Sequence, residues 1–85
     1  MSYILAIFSS RNETLYFANM FRQSGYFAGI INTPKEAGQA CGISVKFAEN
    51  SLVFARKFLA EKPFRSFVGF FRVYLMGGRS RLERI

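Results

Sequence analysis

Two capping boxes divide this chain into alternating extended and helical segments. Ser10 and Glu13 form an S-x-x-E pair directly after the apolar run Tyr3–Phe8, and Thr33 and Glu36 form a T-x-x-E pair after a second such run. In a capping box the first side chain accepts a bond from the N–H three residues later, and the acid reaches back to the cap. Each box therefore predicts a strand that ends where a helix begins.

The remaining glycines and prolines complete the pattern of elements. The predicted order is strand, helix, strand, short helix, strand, helix and strand, over Tyr3–Phe8, Arg11–Ser24, Tyr26–Ile31, Pro34–Cys41, Ile43–Ala48, Ser51–Lys62 and Phe64–Met76. This order predicts an α+β domain of the ferredoxin-like βαββαβ type, with a four-stranded antiparallel sheet and two main helices on one face. The short extra helix, of about two turns, lies before the third strand. Residues 1–76 form this single domain in the prediction, and residues 77–85 form a basic C-terminal tail.

The residue types that the chain lacks limit its chemistry. It contains no His and no Asp, and Cys41 is its only cysteine. Without His there is no side chain with an ordinary pKa near neutrality to serve as a general base, and neither a Ser-His-Asp nor a Cys-His arrangement is available. A zinc or iron–sulfur site needs several Cys or His ligands. We therefore predict a carrier or binding protein rather than an enzyme, with no metal and no cofactor.

Cysteine content and charge indicate the surroundings of the protein. A single cysteine makes no internal disulfide and no signal peptide is visible, which together favour the reducing cytoplasm. The apolar runs Tyr3–Phe8 and Phe67–Met76 are shorter than the about 20 residues of a membrane-spanning helix. The formal charge of +7 favours nucleic acid, anionic lipid or an acidic protein as a partner.

The segment Thr33-Pro34-Lys35-Glu36 is followed by Cys41-Gly42 and by an alternating strand that ends in Lys46-Phe47. It resembles the motif P-T-P-basic-x-x-S-x-S-C-G of a family of small bacterial selenium/sulfur carrier-like proteins, formerly a domain of unknown function. The resemblance covers the chain up to about residue 76, with Asn32, Gly38 and Ala40 in place of one proline and two small hydroxyl residues of the motif. It implies a carrier of sulfur or selenium that works through Cys41, with donor and acceptor proteins as partners.

A carrier of this kind needs one accessible, partly ionised thiol, which holds the chalcogen atom as a persulfide. Cys41 is the predicted carrier thiol, and Gly38, Gly42, Lys35 and Lys46 are the predicted binding residues around it. A helix ending at Cys41 places Gly38 on the same face, where it leaves room for the extra atom, but its dipole opposes a thiolate. A neighbouring lysine or the Gly42 N–H then has to stabilise the negative charge. The alternative is a buried cysteine that acts only as a small apolar side chain.

A second function class fits the basic charge. Arg72, Arg79, Arg81 and Arg84 are candidate contacts to RNA or to an acidic protein, which would make the chain a nucleic-acid-binding or protein-interaction module. The alternative for the last three is a frayed, charged terminus. Eleven phenylalanines and four tyrosines exceed what two helices can cover on one sheet face, so a homodimer through the uncovered face is also predicted.

Overall fold

One five-stranded antiparallel sheet organises the protein. The computed structural model describes residues 1–38 and 42–85. In chain order the elements are β1 (Ser2–Phe8), α1 (Arg11–Gln23), β2 (Gly29–Asn32), a 3-10 turn (Lys35–Ala37), β3 (Ile43–Phe47), a second 3-10 turn (Glu49–Ser51), α2 (Leu52–Glu61), β4 (Phe67–Met76) and β5 (Arg79–Arg84). The strand order is β2-β3-β1-β4-β5. The predicted α+β class with two main helices is confirmed.

The prediction of four strands is wrong, because residues interpreted as a polar tail form β5. Gly77 and Gly78 have φ of +53° and +80°, and a two-residue turn with both φ values positive matches the twist of an antiparallel hairpin. The six residues of β5 pair with β4, from Arg79 opposite Met76 to Arg84 opposite Phe71. A Gly-Gly pair between two extended segments is a hairpin signal, which the many charges of this segment obscured.

The two faces of β1 contribute to two separate apolar clusters. Ile4, Ala6 and Phe8 pack against both helices in the larger cluster, together with buried rings such as Phe17, Phe21, Phe47 and Phe58. Leu5 and Ile7 point to the helix-free face, where they pack with Phe71 and Val73. Both helices therefore lie on one face, as predicted.

The helix-free face is already buried at its centre within a single chain. Leu5 and Ile7 have no exposed surface, and Val73 is 3% exposed. The homodimer was predicted because this face was expected to be uncovered, and at these positions it is not. A dimer through this face therefore stays a prediction, but an exposed apolar centre of the face no longer supports it.

The short helix predicted over Pro34–Cys41 is a single 3-10 turn in its described part. The turn covers Lys35–Ala37 and is followed by Gly38, which has φ +83°. Thr33 does not cap it, because its hydroxyl instead shares a hydrogen bond with Ser44. Residues 39–41 of the prediction lie outside the described residues. In the first capping box, Ser10 caps its helix as predicted, because the Glu13 N–H donates to Ser10 Oγ at 3.2 Å.

Within the described ranges, no helix has the length and apolar character needed to cross a membrane.

Candidate functional site

The predicted carrier thiol belongs to the connection between β2 and β3, which we call the Cys41 loop (residues 33–42). Cys41 itself lies outside the described residues. The loop is closed at its base by Asn32 and Ile43, the last pair of the β2–β3 ladder, and by the Thr33 N–H, which donates to Gly42 O at 3.0 Å. The chain on the carboxyl side of Cys41 is therefore fixed by backbone bonds.

A side-chain hydrogen bond reinforces the base of the loop. Thr33 Oγ1 and Ser44 Oγ are 2.5 Å apart, and Ser44 has no exposed surface. A buried hydroxyl that lacks a partner is destabilising, so this bond couples the start of the loop to β3. No local sequence pattern indicates this bond, because the T-x-x-E spacing predicts that Thr33 caps a helix.

The loop is also attached to the helix-free face through Ala37. This side chain, at the end of the 3-10 turn, packs against the cluster of Leu5, Ile7, Phe71 and Val73. At Ala37 the loop therefore lies against the second face of the sheet.

Gly38 is required by the backbone of this loop. It is exposed, it has φ +83° and ψ −148°, and a Cβ built on it would meet no heavy atom within 4 Å. Only glycine adopts this region readily. Helical spacing predicts that Gly38 and Cys41 share one face of a helix, but the 3-10 turn that forms ends before Gly38. Its role beside a bound chalcogen stays a prediction, as does that of the exposed Gly42.

The two predicted lysines lie in different places. Lys35 is exposed in the 3-10 turn of the Cys41 loop and is the only cationic residue in the sequence of that loop. Lys46 is four residues beyond Gly42 along β3, or roughly 13 Å in an extended chain. Its Nζ lies 4.2 Å from the centroid of the Tyr3 ring, on the side of Lys46 away from Gly42. Lys35 is therefore the better placed cation for the loop.

Lys46 instead lines a groove of about 250 Å³ at the opposite end of the sheet from the Cys41 loop. Tyr3, Phe27 and Leu75 also line it, and the Phe27 side chain is 78% exposed. Strand periodicity alone did not indicate this groove, because Phe27 was interpreted as part of β2.

Arg72, one of the four predicted partner contacts, is held by acids of its own chain. Its Nε donates to Glu49 Oε2 at 2.6 Å, and its Nη1 lies 3.7 Å from Glu83 Oε1. The bond from Arg72, followed by that from the Ser2 hydroxyl, lowers the pKa of Glu49. The bond to Glu49 raises the pKa of Arg72. This ion pair links β4 to the segment before α2.

Of the other three arginines, Arg84 also makes contacts within the chain. Its Nη2 donates to Val68 O at 2.6 Å and its guanidinium lies 5.7 Å from the centroid of the Phe71 ring. Arg79 and Arg81 are exposed on β5. The structure therefore spreads the four residues along β4 and β5 and does not gather them into one basic cluster.

Glu13 makes long-range contacts that the sequence did not reveal. Its carboxylate accepts bonds from the Ser66 N–H at 2.8 Å, the Ser66 hydroxyl at 2.5 Å and the Arg65 N–H at 3.2 Å. The two bonds from Ser66 are the main reason that the pKa of Glu13 lies below its ordinary value. The acid of the first capping box thus ties the start of α1 to the segment before β4.

No group of three or more His, Cys, Asp or Glu side chains that could hold a metal ion occurs among the described residues. A family model described as "Putative Se/S carrier protein-like" matches residues 3–66. The matched span includes the whole Cys41 loop and ends just before β4. Comparisons with curated proteins and with solved structures find no match.

Proposed function

Since the chain belongs to the Se/S carrier protein-like family, we propose that it carries sulfur or selenium as a persulfide-type group on Cys41. The family match is the observation that carries this proposal, because the matched residues contain the loop and the only thiol of the chain. The architecture is compatible with the predicted ferredoxin-like relationship, since β2-β3-β1-β4 is the strand order of that fold.

The transfer needs no group that the chain lacks. The Cys41 thiolate attacks the terminal sulfur of a donor persulfide, a bond forms between the two sulfur atoms, and the donor thiolate leaves with the electron pair of the broken S–S bond. An acceptor nucleophile then attacks the terminal sulfur, and Cys41 leaves as a thiolate. Each step exchanges one bond to sulfur for another, so the relay requires no metal and no external oxidant.

The anchored base of the loop supports this chemistry, because described residues on both sides of residues 39–41 are fixed to the sheet. The Thr33–Gly42 backbone bond and the Thr33–Ser44 side-chain bond hold its base, and Ala37 holds its first half. A thiol on such a loop loses less conformational entropy when it meets a donor. Lys35 supplies the cation that favours a thiolate, and the Gly42 N–H is the donor next to Cys41 in the chain.

The partners of this function are a protein that donates persulfide sulfur or selenium and a protein that accepts it. A reducing compartment such as the cytoplasm keeps the single thiol free between transfers. The basic charge of the chain favours partners with acidic surfaces.

The direct test is the intact mass of the protein after incubation with a cysteine desulfurase and cysteine. We expect the wild type to gain one sulfur atom, about 32 Da, and to lose it again on reduction. Cys41→Ser should gain nothing. Val53→Cys, made in the Cys41→Ser background, places an exposed thiol on α2 and controls for loading of any accessible cysteine. Equal loading of the two thiols, or no loading of the wild type, would refute the proposal.

A further inference from the structure

The last strand, β5, forms one edge of the sheet, and its pairing with β4 shows which backbone groups point outward. The Ile85 N–H donates to Phe70 O at 3.0 Å, so Ile85 and the residues two, four and six positions before it bond to β4. In an antiparallel ladder the residues between them direct their N–H and C=O groups the other way. Three residues therefore present outward backbone groups: Ser80, Leu82 and Arg84.

We propose that β5 pairs antiparallel with β5 of a second copy of this chain, about a two-fold axis that passes through Leu82. In this register Leu82 lies opposite Leu82 of the partner subunit, and Ser80 opposite the partner's Arg84. All three outward residues then form hydrogen-bonded pairs, and the two sheets become one. This inference does not rest on the proposed carrier function.

The charges on β5 select this register. It places Arg81 opposite the partner's Glu83 twice, once on each side of the axis, and opposed pairs of opposite charge stabilise a sheet. Two neighbouring registers also match the outward backbone groups. One of them puts Arg81 opposite the partner's Arg81, and the other puts Glu83 opposite the partner's Glu83. Only the register centred on Leu82 therefore avoids like charges in direct opposition.

The contacts of β5 within its own chain agree with this pairing. Glu83 Oε1 lies 3.7 Å from Arg72 Nη1, so the partner's Arg81 would give this carboxylate a cation on each side. Leu82 is half-buried against the cluster of the helix-free face, and the contact with Leu82 of the partner subunit would extend that cluster across the axis. The same strand that completes the sheet thus carries a self-complementary edge.

The net charge of each chain, +7, works against association at long range. Salt screens that repulsion beyond about 8 Å at physiological ionic strength, whereas the opposed pairs are closer than this. Association should therefore be measured at such an ionic strength. The partner strand is β5 of a second copy of this chain. Only a two-fold axis through Leu82 places an Arg81 opposite each Glu83, because the two residues are equally far from that axis.

Sedimentation equilibrium of the Cys41→Ser chain tests the proposal without interference from intermolecular disulfides. We expect the mass to rise with concentration from 9.7 kDa towards twice that value. Arg81→Glu and Glu83→Arg should each remain monomeric, since each leaves like charges opposed. An equimolar mixture of these two variants restores both pairs of opposite charge and should form a heterodimer.

Ser80→Pro provides a second, uncharged test. It removes an outward N–H and leaves the bonds to β4 intact, and proline is tolerated on an edge strand with its nitrogen facing solvent. We expect Ser80→Pro to weaken self-association at least tenfold and Ser80→Ala to leave it unchanged. A chain that is monomeric at every concentration would overturn the proposal, and so would a dimer that survives both Ser80→Pro and Arg81→Glu.

Discussion

Thr33, at the start of the Cys41 loop, shares a hydrogen bond with Ser44 of β3, with the two side-chain oxygens 2.5 Å apart and Ser44 fully buried. This bond connects the only thiol-bearing loop of the chain to the central part of the sheet. The base of the loop is therefore held by a side-chain bond in addition to the backbone bond from Thr33 to Gly42.

Removal of the bond should loosen the loop. We expect Ser44→Ala to lower the free energy of unfolding by about 1 kcal/mol, since Thr33 loses a partner and is half-buried. Thr33→Val should cost a similar amount, and the double variant should cost less than the sum. Urea unfolding measures these values, with the exposed Ser80→Ala as the control. Additive costs would mean that the bond contributes nothing to stability.

The order of β1, α1, β2, β3, α2 and β4 could be predicted from the sequence because strong local signals mark their ends. Ser10 caps α1 as its position indicates, and the alternation after Gly42 marks β3. Such signals depend on the chemistry of a few neighbouring residues. The prediction failed where a distant residue competes for the same group, as Ser44 does for Thr33 and Ser66 for Glu13.

Less of the candidate site could be predicted than of the fold. The motif identified the loop and its thiol, but it could not show that Ala37 packs against the helix-free face. Contacts of this kind depend on which face of the sheet a connection crosses, and sequence spacing does not encode that. Charge counting likewise suggested one basic surface, whereas Arg72 is paired with Glu49 and Arg84 lies across Phe71.

Lys35 should raise the reactivity of the Cys41 thiol, since it is the only cation in the sequence of the loop. A charge at about 4 Å in water contributes about 1 kcal/mol, which corresponds to a factor of about five in thiolate population. We expect Lys35→Gln to slow alkylation by iodoacetamide at neutral pH by up to about fivefold. Lys46→Gln is the matched control and should leave the rate unchanged, because its Nζ lies beside Tyr3. The opposite ranking would assign the cation to Lys46.

Gly38→Ala tests whether the loop depends on a backbone conformation that favours glycine. With φ +83° and ψ −148°, an alanine here should cost roughly 1–3 kcal/mol, although no atom lies within 4 Å of its Cβ. Gly29→Ala, at the start of β2, meets only ordinary contacts at 3.9 Å and has no positive φ, so it should be nearly neutral. Chemical denaturation of both variants gives the comparison. Equal costs would show that strain at Gly38 is not the cause.

The contacts of Glu13 should make the stability of the protein depend on pH in the acid range. Hydrogen bonds from Ser66 hold the pKa of Glu13 below its ordinary value of 4.5 in the folded chain, so the folded state binds this proton less readily than the unfolded state. The stabilisation is therefore complete above about pH 4.5 and is lost as the pH falls through the lower, folded-state value. Glu49 is shifted in the same direction by Arg72 and Ser2.

Glu13→Gln isolates the part of this dependence that belongs to one carboxylate. The variant cannot ionise, so we expect it to be less stable than the wild type at neutral pH and to lose less stability on acidification. Urea unfolding at neutral pH and below about pH 4 measures both differences. Ser66→Ala removes the hydroxyl donor and should reduce the pH dependence of the free energy of unfolding in part. When Ser66→Ala is added to Glu13→Gln, the pH dependence should change little further. If wild type and Glu13→Gln lost stability in parallel as the pH fell, the bonds from Ser66 would not be the source of the effect.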